Sequence, residues 1–233
     1  MGGNDIPTRT IRRPVNGPKP ISGDICVVGS GAAGLSAALE AARAGKRVVL
    51  VEAAPSLGGQ AVNSIIGTFC GLYSNGPNVT RLTYGIADDI LRDLHAVGAA
   101  LNRPARNSII VQYDEIALAR WVDKAVQDAS ITVLLGAIVR NARLSNRRIT
   151  ALDVATKFGD VSVEADGFVD ASGDATVAWH AGLAVREPET PIFGTQVVLF
   201  ENFDEDAANA VDRWEMQDRL SRKADDYGLV RKD

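Results

Sequence analysis

The sequence predicts an α/β fold: a parallel sheet flanked by helices, with an inserted antiparallel β-ribbon and the start of a further domain near the C-terminus. Three observations predict it. An apolar strand at 25–28 runs into a glycine turn, an alanine-rich helix and a second apolar strand at 48–51 that ends in Glu52. A short apolar run at 131–135 is followed by strand-like runs at 139–144, 149–156 and 161–169. A second strand–turn–helix, 168–183, then returns the chain to the sheet beside the first strand.

The elements follow in order. Residues 1–22, with Pro7, Pro14, Pro18 and Pro20, read as an extended arm that lies across another subunit or stays disordered. Arg9, Arg12 and Arg13 superficially suggest an export signal, but the apolar stretch behind them is the first strand and its helix, interrupted by Glu40 and Arg43. The run 25–28 suits a central strand buried on both faces. Helix 32–44 is rich in alanine, and Gly45 ends it. Residues 83–100 form an amphipathic pattern with Ile86, Ile90, Leu91, Leu94 and Val97 on one face and Asp88, Asp89, Arg92 and Asp93 on the other. A second helix, 113–129, carries Asp114 as its N-cap. Turns at 145–148 and 158–160 separate the ribbon strands. Pro188 and Pro191 mark a break, after which 192–200 reads as a strand and 205–227 as a charged helix.

Bulk properties narrow the class. The chain has 233 residues, 46% hydrophobic and 23% charged, as in an ordinary globular protein. A net charge of -4 gives no electrostatic case for nucleic acid or an anionic membrane. Two cysteines, Cys26 and Cys70, exclude a disulfide framework and a C-x-x-C redox centre, so a reducing, cytoplasmic setting is expected. No run approaches the ~18 apolar residues of a membrane span.

The stretch 25–52 carries the chemistry. Gly29, Gly31 and Gly34 stand in the order G-x-G-x-x-G, and Glu52 follows at the end of the next strand. That is the Rossmann-like dinucleotide-binding unit. Gly29 serves the sharp turn, Gly31 the approach of a pyrophosphate, and Gly34 the packing of helix on strand. Ser30, Ala32 and Ala33 supply the intervening amides, and the helix N-terminus favours an anion. Glu52 can accept hydrogen bonds from ribose hydroxyls and would repel a 2′-phosphate.

Glu52 and Ala53 are followed by Gly58-Gly59-Gln60, and 170–174 reads Asp-Ala-Ser-Gly-Asp. With the glycine turn, these motifs resemble the glutathione-reductase-type flavoprotein superfamily of FAD-dependent oxidoreductases over about residues 23–200. The resemblance implies a flavin domain at 23–186, with its ribbon at about 139–169, and a partial substrate- or partner-contacting region at 187–233. It implies that Gly58 and Gly59 let the chain run beside the FAD pyrophosphate and ribityl chain. It further implies that the backbone at Val139 meets adenine, and that Ala171, Gly173 and Asp174 lie at the ribityl and phosphate region. Ser172 replaces the usual Thr and keeps the hydroxyl. Asp174 is also placed to cap the following helix. In that superfamily, the irregular segment 60–76 passes the flavin ring. Asn63, Ser64, Thr68, Cys70 and Tyr73 are therefore candidates for flavin or substrate contact, each with the plainer reading of a packed or capping residue. Cys70 could be a flavin-facing thiol or a covalent attachment point, against the plainer and favoured reading of a buried cysteine. Of these, Cys70, Tyr73 and Asn63 are the catalytic candidates. No paired carboxylates, Ser–His–Asp set or metal cluster stands at diagnostic spacing, and His180 reads as a packed helix residue.

The function implied is hydride transfer from a small organic substrate to flavin N5, with oxygen, a quinone or a carrier protein as the final acceptor. Complete members of the superfamily are about twice as long. The chain is therefore expected to be one subunit of a split enzyme whose second polypeptide completes the flavin pocket. Failing that, it is a cleaved or truncated fragment, or a minimal FAD-binding protein. A non-catalytic FAD-holding or electron-relay subunit is the alternative function. A plain NAD-dependent dehydrogenase leaves the two later motifs unexplained.

Overall fold

The computed structural model describes residues 19–105 and 107–190 and, beyond them, residues 194, 202, 204, 206–207, 210–211, 213–224, 226 and 228. Contacts divide the chain into two units, Met1–Pro191 and Ile192–Asp233. In the second, a helix over Arg213–Lys223 carries the i,i+4 ion pairs Glu215–Arg219 and Asp218–Arg222. The strand expected at 192–200, residue 194 apart, and arm residues 1–18 lie outside the described residues, as do parts of the helix expected at 205–227.

The first unit is built on a six-stranded sheet. Its strands are β1 (Lys19–Val28), β2 (Val48–Glu52), β6 (Thr132–Leu135), β7 (Ile138–Ser145), β8 (Arg148–Thr156) and β9 (Gly159–Asp170), in the order β6-β2-β1-β9-β8-β7. The pairings β6-β2, β2-β1 and β1-β9 are parallel, while β9-β8 and β8-β7 are antiparallel. β1 is longer than expected. It starts at Lys19, so Pro20, Ile21 and Ser22 belong to a strand that runs beside β9 from Lys19↔Val161 to Val28↔Asp170. The ribbon is likewise continuous with the sheet, because its third strand and the returning strand are the single element β9.

Side-chain alternation splits the core into two layers. Val27, Val48 and Leu50 pack against α1 (Ala32–Arg43), α3 (Ile86–Ala96) and α4 (Glu115–Asp128), meeting Leu35, Leu94 and Val122 among others. Cys26, Val28, Val49 and Val51 take the opposite parity and join Val139, Leu152, Val154, Val163 and Val177. Burial pushes the Cys26 thiol up to about 12. Asp114 caps α4 through Ala117 N at 2.7 Å. The acidic face of α3 is held in ion pairs, Arg43–Asp89 and Arg92–Asp93 among them, whereas Val97 lies beyond the helix and is 73% exposed.

Two further features depart from the sequence reading. A second, three-stranded antiparallel sheet, β3-β5-β4, joins Thr68–Phe69, Ile109–Tyr113 and Ala100–Pro104. It takes in part of the segment read as irregular and part of the stretch read as helix. The helix expected after residue 174 is a single turn, α5 (Thr176–His180), on which only Val177 is buried and Trp179 is 65% exposed.

Asp170, not Asp174, secures that turn. Its Oδ2 accepts the amides of Val177 at 2.8 Å and Ala178 at 3.0 Å, and its Oδ1 accepts the Ser172 hydroxyl at 2.7 Å. Burial opposes ionisation of Asp170, but the bonds from Ser172, Ala178 and Val177 outweigh it and hold the carboxyl below the usual range.

Two measurements check this construction. Leu50→Ala, at a fully buried position in the central layer, should cost about 3 kcal/mol, read as a lower denaturant midpoint with unchanged slope. Asp170→Asn should cost about 1 kcal/mol at neutral pH, the usual worth of a helix cap. The folded-state pKa is lowered, so the stabilisation is complete above the ordinary carboxylate value. It disappears as pH falls through the folded value. The gap between wild type and variant should therefore close below about pH 4.

Candidate functional site

The carboxyl ends of β1, β2 and β9 are stitched together backbone to backbone. Gly29 N donates to Val51 O at 2.8 Å, and Ala171 N to Val28 O at 2.8 Å. Gly29 adopts φ +96°, and a Cβ there would stand 2.3 Å from Ala171 O. The turn after β1 thus lies directly on the loop after β9. A Cβ on Gly34 would stand 1.9 Å from Gly29 O, so α1 presses on the same turn. From the other side, a Cβ on Gly59 (φ +55°) would stand 2.6 Å from Gly31 Cα. Three loops therefore converge on residues 29–31, and glycine permits each contact.

Gly31 differs from its neighbours. Its backbone lies in an ordinary region, φ -66° and ψ -174°, and a Cβ would meet nothing within 4 Å. It is the N-cap of α1, where no side chain caps the helix and no acidic residue occupies the first turn. Ala32 and Ala33 beside it are exposed. The first-turn amides and the positive helix end are thus free to meet an anion.

Glu52 sits just beneath, 9% exposed. Its Oε2 accepts both Ser30 N at 2.7 Å and Ser30 Oγ at 2.6 Å, and its Oε1 accepts Ala54 N at 2.7 Å. Ser30 is fully buried, and its hydroxyl also receives Gly58 N at 3.2 Å. The start of β7 is tied to the same corner, with Ala137 N donating to Glu52 O and Gly136 N to Ala54 O, both at 2.9 Å. Val139 follows on the edge strand, its side chain in the second core layer.

The other sequence-derived residues fall on the rim. Ala53, Gln60, Gly173 and Asp174 are exposed, and Gly58 is buried against Val62. The Asp174 carboxylate makes no hydrogen bond among the described residues, so the capping role expected for it belongs to Asp170. Asn63 is exposed at the end of α2 (Gln60–Asn63), where its Oδ1 accepts Ser56 Oγ at 2.6 Å. Cys70 is exposed, not buried, just after β3. Tyr73 is bridged to Arg81 and lines a cleft of about 350 Å³ with Asp88, Arg92, His95 and Asn102. A smaller, apolar cleft of about 170 Å³ lies along α1, walled by Leu35, Phe69, Leu72, Ile86 and Ile90. The described residues contain no group of three or more His, Cys, Asp or Glu able to hold a metal, and no helix long and apolar enough to cross a membrane.

Sequence reasoning missed two positioning groups. Tyr113 stacks on Phe69 with ring centroids 4.1 Å apart and donates its hydroxyl to Ala61 O at 2.9 Å, which anchors α2 behind the glycine pair. Burial, and then Glu115, push its phenol up to about 12. The Ser30 side chain turns inward to Glu52. Its signal was a hydroxyl between two glycines, which the amide-based reading of the motif passed over.

Comparisons with known proteins give the family. Residues 24–231 match the family model described as FAD dependent oxidoreductase. The chain is 31% identical over 173 residues to thiamine thiazole synthase of Aeropyrum pernix, covering 68% of this chain and 58% of that protein's length. Among solved structures, Thermovibrio ammonificans THI4 covers 70% of this chain and 64% of its own at 19% identity and a TM-score of 0.49. A geranylgeranyl bacteriochlorophyll reductase-like protein of Thermoplasma acidophilum covers 70% and 43% at 16% identity and a TM-score of 0.48. The chain belongs to the FAD dependent oxidoreductase family, and FAD is its cofactor.

Proposed function

We propose that residues 29–34, 52–53, 58–60, 171 and 173–174, with the backbone at Val139, hold FAD for a dehydrogenase or oxidase acting on a small organic substrate. The observation that carries this is Gly31. The fold itself does not demand glycine there, since neither φ nor crowding forbids a side chain. A diphosphate lying on the uncapped start of α1 does demand it, because a Cβ would fill the space the phosphate oxygens need. The deeper glycines support the same reading, since they set three loops around that point.

In this reading the amides of Ala32 and Ala33 meet the pyrophosphate. Glu52 receives a hydroxyl of the adenosine ribose, the edge of β7 meets adenine, and Asp174 receives a ribityl hydroxyl. When bound, FAD would supply the redox chemistry, acceptance of a hydride from the substrate. The chain contributes grip and orientation rather than a proton carrier, for the described residues bring no acid–base pair to this corner. Asn63, Cys70 and Tyr73 stay the candidates nearest the ring end. We place the protein in the cytoplasm and propose that a second polypeptide covers the ring. Exposed Ile65 (48%), Ile66 (43%), Leu82 (59%) and Tyr84 (66%) support an apolar partner surface beside segment 60–76.

Two experiments test this. Gly31→Ala should cost the flavin-free protein only about 1 kcal/mol, the worth of an N-cap change, and weaken FAD binding more than tenfold, read by flavin fluorescence titration. Unchanged FAD affinity would rule out a pyrophosphate at this turn. Size-exclusion chromatography with mass analysis of natively purified material should reveal a second polypeptide, with flavin bands near ~370 and ~450 nm in the same peak. A single 24.7 kDa species whose flavin substrate fully reduces would refute the two-chain arrangement.

A further inference from the structure

We infer that Ser30 is the positioning residue of Glu52: it occupies Oε2 so that Oε1 alone keeps a place for a ligand hydroxyl. The inference rests on the reading of Glu52 as the acid that meets the adenosine ribose. A carboxylate offers about four acceptor directions. Ser30 takes two on Oε2, through its amide at 2.7 Å and its hydroxyl at 2.6 Å, and Ala54 N takes one on Oε1 at 2.7 Å. One direction on Oε1 remains.

The arrangement does more than fill space. Ser30 has no solvent exposure, so its hydroxyl has left water entirely and is compensated only by bonds inside the chain. Those bonds link the three pieces of the site: the glycine turn through Ser30 itself, the acid through Oε2, and the Gly58–Gly59 loop through Gly58 N at 3.2 Å. Glutamate has a flexible side chain, and a carboxylate left free would have to be ordered when ligand binds. Here it is ordered beforehand, which lowers the entropic cost of recognition. The Ser30 hydroxyl donates its single proton to Glu52, so it has none to give a ligand. Its influence on binding passes through its two bond partners, the acid and the Gly58–Gly59 loop, and we assign it to the acid.

The test is a double-mutant cycle on the full chain stripped of flavin, with FAD added and fluorescence quenching followed. Ser30→Ala strands no backbone group, because Gly58 N keeps Ser30 O at 3.1 Å and Glu52 keeps the amides of residues 30 and 54. Thermal melting of the flavin-free variant checks folding. Ser30→Gly, which keeps the amide and needs no room, is read in the same way if Ser30→Ala does not fold. Ser30→Ala should weaken FAD binding about tenfold, the worth of one hydrogen bond to a charged group. Glu52→Gln should weaken it too. In the Glu52→Gln background, adding Ser30→Ala should cost less than about twofold more, since both changes act through one contact. FAD affinity untouched by Glu52→Gln would overturn the assignment of Glu52 itself. If Glu52→Gln weakens binding while Ser30→Ala does not, or if their penalties multiply, the role of Ser30 is refuted and that of Glu52 stands.

Discussion

The architecture depends on three loops touching at one short turn without side chains between them. Gly29 lies on the carbonyl of Ala171, Gly34 on the carbonyl of Gly29, and Gly59 on the Cα of Gly31. Each contact is closer than any Cβ allows, so the ends of β1 and β9, the start of α1 and the loop after β2 share one fixed geometry. The parallel registers β1-β2 and β1-β9 deliver the strand ends to that point together. Hydrogen bonds among Ser30, Glu52 and Gly58 then lock it. The corner is thus finished by contacts within the chain itself.

This part was legible in the sequence because its signals are local and strict. A two-faced apolar strand, glycines at fixed spacing and an acid at the next strand end permit few other arrangements. The ribbon strands were legible for the same reason, although β9 proved to be one element serving two partners. The sheet β3-β5-β4 was not legible. β3 has only two residues, and β4 reads Ala-Leu-Asn-Arg-Pro, in which only Ala100 escapes exposure. Its pairing with β5 is set by tertiary contacts such as Phe69 on Tyr113, which no period announces.

The two aspartates at and after the end of β9, Asp170 and Asp174, mark the other boundary of sequence reading. Both sit near a helix start, and the motif alone favours the one closer to it. Distance along the chain misleads here, because the loop doubles back through Gly173 (φ +84°) and Ala175 (φ +54°) and brings Val177 and Ala178 over Asp170. The job of holding the loop falls to Asp170, and Asp174 is released to the exposed rim. Dihedral reversals of this kind leave no periodic trace, so such divisions of labour become visible only in three dimensions.

The inner layer of β1 has a chemical corollary. Cys26 is sealed in the core cluster on one face of the six-stranded sheet with its thiol pushed up to about 12, whereas Cys70 stands in solvent beside β3. Only a thiolate reacts readily with alkylating reagents. Towards such reagents the folded protein behaves as a single-thiol molecule, and a fluorophore placed on Cys70 would mark the segment between the Gly58–Gly59 loop and α3. Reactivity at Cys26 would appear only once β1 has left the sheet, which makes the second thiol a clock for global opening of the domain.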